Sequence, residues 1–122
     1  GQVDKVVLER LRLGTRVEVP AGTTGIRKMM SDISVVTGNE VALVRDKFGT
    51  RWLAQGGPNE LILPPNTVRV IAHTHPQGSL RLSGADLKAF SNPLRQNQRS
   101  TVLISPREDF GVRIPIPRSG GQ

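Results

Sequence analysis

The chain has 122 residues, 36% of them hydrophobic, and carries 17 Lys and Arg against 10 Asp and Glu for a formal charge of +7. That length suits one globular domain, expected over 1–118 with a flexible tail at 119–122. The absence of cysteine excludes disulfides, thiolate metal sites and cysteine nucleophiles. No apolar run approaches the ~18 residues of a membrane helix and no basic-then-apolar opening marks a signal peptide, so a soluble domain with no membrane partner is expected.

In chain order, Val6, Val7, Leu8 and Leu11 are compatible with helix or strand, helix being the preferred reading. Thr15 to Val19 alternates polar and apolar residues and stops at Pro20, as a half-buried strand does. Ile26, Met29, Met30 and Ile33 recur at helical spacing within Thr24 to Val36. Thr23 or Thr24 is available as the cap and Gly38 as the stop. The two methionines read as core filling.

Glu40 to Arg45 and Thr50 to Ala54 form a predicted hairpin around the turn Asp46 to Gly49. Gln55 to Asn59 is a loop. Its glycines lack the Lys-Ser/Thr and following helix of a phosphate-binding loop, but the segment is placed to line a groove. Glu60 to Leu63 is a short predicted strand closed by Pro64, Pro65 and Asn66, and Val68 to Ala72 is a central strand with two histidines at its exit. Ser83 to Phe90 reads as a capped helix with Leu87 and Phe90 on one face. Thr101 to Ile104 and Gly111 to Ile116 complete the sheet. This order of elements indicates a mixed α/β, or α+β, sandwich.

The positive charge is concentrated late, in Lys88, Arg95, Arg99, Arg107, Arg113 and Arg118 against Glu108 and Asp109. Such an excess favours nucleic acid or an acidic protein electrostatically, and otherwise serves as a solvated surface. Only four aromatics, Phe48, Trp52, Phe90 and Phe110, are present, which lowers the expectation of base stacking on a single strand.

The tetrapeptide His73-Thr74-His75-Pro76 holds the only two histidines of the chain. Side chains two apart on a strand point the same way, so both imidazoles can reach one cation. Asp86, at a helix start, supplies a third ligand in that reading, and two histidines with one carboxylate leave a zinc ion an open position for water. Ser83 and Asp86 also read as a helix capping pair, which is compatible with this role.

His73-Thr74-His75-Pro76, six intervening residues and then Ser83-Gly84-Ala85-Asp86 resemble the signature H-[ST]-H-P-x6-S-x-x-D of the JAMM metalloproteases. A strand, a helix and then a glutamate opening the next strand occur here in the same order, so the likeness extends over about residues 15 to 116 and is strongest over 70 to 90. The resemblance implies a JAB/MPN-like sheet sandwiched by helices, of cytidine-deaminase-like architecture. It further implies Zn2+ bound by His73, His75 and Asp86, Glu40 as the general base, and Ser83 as donor to the developing oxyanion. Glu18 and Glu60 compete with Glu40 for that position.

The activity implied by the resemblance is that of a zinc metallopeptidase or isopeptidase acting on a protein or peptide. The short loops are at odds with the insertions by which relatives grip ubiquitin. The compact basic chain also resembles JAB-like toxin domains of larger secreted bacterial proteins, which implies action in a target cell's cytoplasm and an acidic immunity protein as partner. Two alternatives are a RadC-like domain directed to nucleic acid and a non-catalytic MPN-type interaction module.

Overall fold

A computed structural model describes residues 5–79 and 81–115. The elements are α1 (Lys5–Arg12), β1 (Val17–Glu18), α2 (Ile26–Thr37), β2 (Val41–Asp46), β3 (Arg51–Gln55), β4 (Thr67–Thr74), α3 (Gly84–Phe90), a 3₁₀ turn (Pro93–Arg95), β5 (Ser100–Ile104) and β6 (Asp109–Arg113). Together they make a mixed α+β fold with one six-stranded sheet in the order β1-β3-β2-β4-β5-β6 among the described residues. Every pairing is antiparallel except β4 with β5, which the crossover through α3 makes parallel. The end of the last expected strand at Ile116 and the expected tail at 119–122 lie outside the described residues.

Two apolar clusters cover the two faces of the sheet. Leu11 of α1 and Ile26, Met30 and Ile33 of α2 pack on Val41, Leu43 and Leu53, with the adjacent Met29 partly buried against them, so the methionine pair fills the core as its spacing predicts. On the other side Phe90 of α3 joins Ala42, Val44, Val70 and Ile114. Four of the six β2 residues in succession are buried, which is the consequence of apolar packing on both faces of a central strand.

Several expectations are corrected. Neither Thr23 nor Thr24 caps α2: the helix enters through Gly25 in the left-handed region at φ 71°, with no side-chain cap, while the Thr23 hydroxyl donates to the Pro20 carbonyl. Gly38 closes it as expected, its N–H donating to Ser34 O. Strand β1 is confined to Val17–Glu18, because only Leu53 and Trp52 of β3 face it. Glu60 to Leu63 forms no strand. Leu61 and Leu63 pack beneath the Phe90 cluster, but the segment makes no ladder. On α3 the buried face is Asp86 and Phe90, one helical turn apart, and Leu87 is exposed. Arg95 does not belong to the basic surface. It is buried, donating from Nη1 to Thr67 O and from Nε to Ala89 O, and so ties the 3₁₀ turn to the start of β4.

Gln98 completes the central strand with a side chain. Its Oε1 accepts from Val70 N at 2.9 Å, and its Nε2 donates to Val70 O and Ser100 O. A carboxamide thus stands in for a strand residue just before β5 begins. Gln98→Ala leaves Val70 N–H buried and unpaired, whereas Val70 O keeps the Thr101 hydroxyl; the expected cost is about 2 kcal/mol in a denaturant melt. Gln98→Glu should cost more at neutral pH, because a carboxylate cannot donate to either carbonyl.

Candidate metal centre

The end of β4 is fastened on both sides. His73 lies within the strand, opposite Ala42 on β2 and Leu103 on β5. His75 stands one residue past its end but is held by its N–H to Ile104 O at 2.9 Å. Between them Thr74 Oγ1 accepts from Val41 N at 2.8 Å and fixes the start of β2 against β4. His75 begins a turn through Gly78, whose φ of 81° is the left-handed region. In that turn His75 Nδ1 meets Ser79 O at 3.0 Å.

Asp86 arrives from the opposite side on α3. Ser83 Oγ accepts from Asp86 N at 3.0 Å and Asp86 Oδ2 accepts from Ser83 N at 2.9 Å, a reciprocal capping box. The cap therefore sets the direction of the carboxylate as well as the start of the helix.

Three atoms converge. His73 Nε2 and His75 Nε2 are 3.1 Å apart, and Asp86 Oδ2 lies 3.2 Å from the first and 2.9 Å from the second. Tetrahedral zinc with bonds of about 2.0–2.1 Å separates its ligands by about 3.3 Å, close to this triangle. The hydrogen-bonding pattern also calls for a cation. A carbonyl only accepts, so His75 Nδ1 carries the proton and a neutral ring turns the lone pair of Nε2 toward Asp86 Oδ2. Two facing acceptors repel unless a proton or a metal ion lies between them. Asp86 Oδ1 is buried with no hydrogen-bond partner among the described residues, and Glu40 Oε1 is in the same condition. Two carboxylates and two imidazoles, all buried with ligand atoms within 4.8 Å of one another, could hold a metal ion.

In the metal-free chain a proton can take that place, and the charge states follow from the same contacts. For the Asp86 carboxyl, burial opposes ionisation, but hydrogen bonds from His73, His75 and the Ser83 N–H outweigh it and hold the group far below its ordinary range. Burial lowers His75, while the Asp86 carboxylate, the Ser79 carbonyl and Glu40 raise it to a net upward shift. Glu40 goes up to about 7, chiefly through burial and then through repulsion from Asp86.

Glu40 is placed by a small ladder of its own: its N–H donates to Gly57 O and its carbonyl accepts from Gly56 N, both at 2.8 Å. A Cβ at Gly56 would overlap the Glu60 carbonyl, so glycine is required for this close approach. Glu18 and Glu60, the competing glutamates, are exposed. Glu40, Pro58, Asn59, His75, Gln77 and Ser83 line a cleft of about 360 Å³, so the Gly-rich loop does border a groove beside the histidines. Ser83 Oγ already accepts from the helix and keeps its own proton to donate into this cleft.

The structure thus gathers Glu40, His73, His75 and Asp86, with Ser83 at the rim of the same cleft. Sequence reasoning passed over Thr74, whose role needs the register of β2 against β4, and the Asn59–Gln77 contact at 3.3 Å across the cleft. No local spacing connects Asn59 with Gln77. Comparison of the chain with family models, with curated proteins and with solved structures returns no match.

Proposed function

We propose that the chain is a zinc-dependent hydrolase of JAMM type that cleaves an amide bond in a protein or peptide. The observation that carries this reading is the convergence of His73 Nε2, His75 Nε2 and Asp86 Oδ2 beside a buried, partnerless Glu40 carboxylate. Helix α3 on one face of the sheet and α1 with α2 on the other support a JAB/MPN-like, cytidine-deaminase-like architecture.

His73, His75 and Asp86 would hold the zinc ion, which supplies Lewis acidity and lowers the pKa of water to about 7. Glu40, raised to about 7 in the metal-free chain, stands where it can take a proton from water entering the cleft and deliver it to the leaving amine. Ser83 donates its hydroxyl toward the developing negative oxygen. Carbonyl-anchored His75 and capped Asp86 keep their orientation throughout, so little reorganisation accompanies the chemistry.

The test is elemental analysis of the purified chain together with a mass-spectrometric screen of peptide and isopeptide substrates. About one zinc per chain, and cleavage abolished by a chelator and restored by zinc, are expected. No bound metal and no uptake on zinc titration would sink the reading and leave a basic binding module.

A further inference from the structure

At the other end of β4 from the histidines lies a row of arginines. Arg45 on β2 is the direct cross-strand partner of Arg51 on β3 and of Arg69 on β4. Neighbouring strands are about 4.8 Å apart, so three guanidinium groups leave one side of the sheet within about 10 Å. Like charges placed directly opposite destabilise a sheet, and among the described residues none of the three has a carboxylate partner. Asp46, next to Arg45 on β2, is spent: its carboxylate accepts from Phe48 N, Thr50 N and Trp52 Nε1. Arg51 donates once, to Pro20 O.

The row continues into a shaped feature. Arg45 and Arg69 line a cleft of about 480 Å³ with Leu94 and Asn97. The β2–β3 turn beside it presents Lys47 and Phe48; Lys47 Nζ stands 5.2 Å from the centre of the Phe48 ring, which is nonetheless 76% exposed. Trp52 is covered by Arg16 at 3.9 Å, Phe90 is buried and Phe110 is half-buried, so the most exposed aromatic ring of the chain sits at the tip of the hairpin that carries Arg45 and Arg51.

We propose that this surface binds a single-stranded polynucleotide, with phosphates on Arg45, Arg69 and Arg51 and a base stacked on Phe48. Guanidinium forks suit phosphate oxygens, and a ring beside them supplies the sequence-tolerant stacking that single strands use. An acidic protein would use the charges too, but it does not repeat an anion and a planar ring at every unit, as a polynucleotide does. The site lies about 13 Å along β4 from His73 and does not depend on the metal reading.

Fluorescence anisotropy with labelled oligothymidylate and the full chain tests it. Binding should weaken as salt rises, with a log–log slope of about −2 for three phosphate contacts. The pair Arg45→Gln with Arg69→Gln should lose at least ~10-fold in affinity. Phe48→Ala should lose ~5-fold or more. Lys88→Gln with Arg107→Gln, which lowers the net charge equally elsewhere, should change binding less than twofold. Absence of binding at low salt, or equal losses in both charge pairs, overturns the proposal. So does a neutral Phe48→Ala variant from which polyglutamate displaces the oligonucleotide at matched charge; that last result assigns the row to an acidic protein instead.

Discussion

On the proposed zinc reading, Asp86→Ala should leave the chain without metal and unfasten α3 in a single step. The carboxylate meets both imidazoles and also accepts the Ser83 N–H, so one atom, Oδ2, serves the site and the helix cap. Loss of a ligand should exceed the ~10- to 100-fold affinity cost that even supporting residues incur. Loss of the cap adds about 1 kcal/mol of instability, sizeable for a helix of only seven residues. Asp86→Asn separates the two roles. Its side-chain oxygen still accepts from Ser83, so α3 should stay formed by hydrogen exchange, while metal content falls because the negative charge is gone. Stoichiometric zinc of unchanged affinity in Asp86→Asn would show that the negative charge of Asp86 is not needed to hold the ion.

Glu40→Gln should be more stable than the unaltered chain and far less active. In the metal-free protein Glu40 titrates near about 7 against 4.5 unfolded. A carboxyl raised on folding leaves stability intact below the unfolded value and removes it as pH climbs through the folded one. The cost therefore accumulates between pH 4.5 and about 7 and is complete above that. Glutamine has no charge to desolvate, so the variant should gain on the order of 2 kcal/mol at pH 8 and almost nothing at pH 4, the buried amide still lacking a partner for Oε1. Thermal melts at the two pH values check this. Equal melting shifts at both would mean that Glu40 ionises without penalty in the fold. On the proposed reading hydrolysis should fall by ~10²- to 10⁴-fold with zinc still bound, since Glu40 would move the proton while His73, His75 and Asp86 hold the ion. A glutamate kept at such a cost to the fold is a mark of function.

Much of the centre was legible because its ligands are local. The H-x-H spacing fixes two side chains on one side of a strand whatever the rest of the chain does, and the Ser83–Asp86 interval encodes a cap that aims the third. Glu40 was legible only through the order of elements; what isolates it from Glu18 and Glu60 is burial, a property of the finished fold. Glu60 to Leu63 misled because Leu61 and Leu63 serve packing against the Phe90 cluster, and a short apolar run closed by prolines reads the same whether or not its backbone finds a pairing partner. Arg95 looked like surface charge. Only the fold shows two backbone carbonyls waiting for it. The arginine row was invisible in the same way, because Arg45, Arg51 and Arg69 become neighbours through strand register and not through sequence.

The one parallel seam of the sheet bears on how long the native state lasts. β2–β3 and β5–β6 are hairpins that local contacts can close early, whereas β4 and β5 can meet only after the intervening α3 segment has been laid across the sheet. His73 and the His75 N–H both lie on that seam, and Asp86 is on the segment that crosses it. The histidine–aspartate cradle is thus completed only when that seam closes. A metal ion held there would bind only the chain in which that seam is closed, and so should slow unfolding more than it speeds folding.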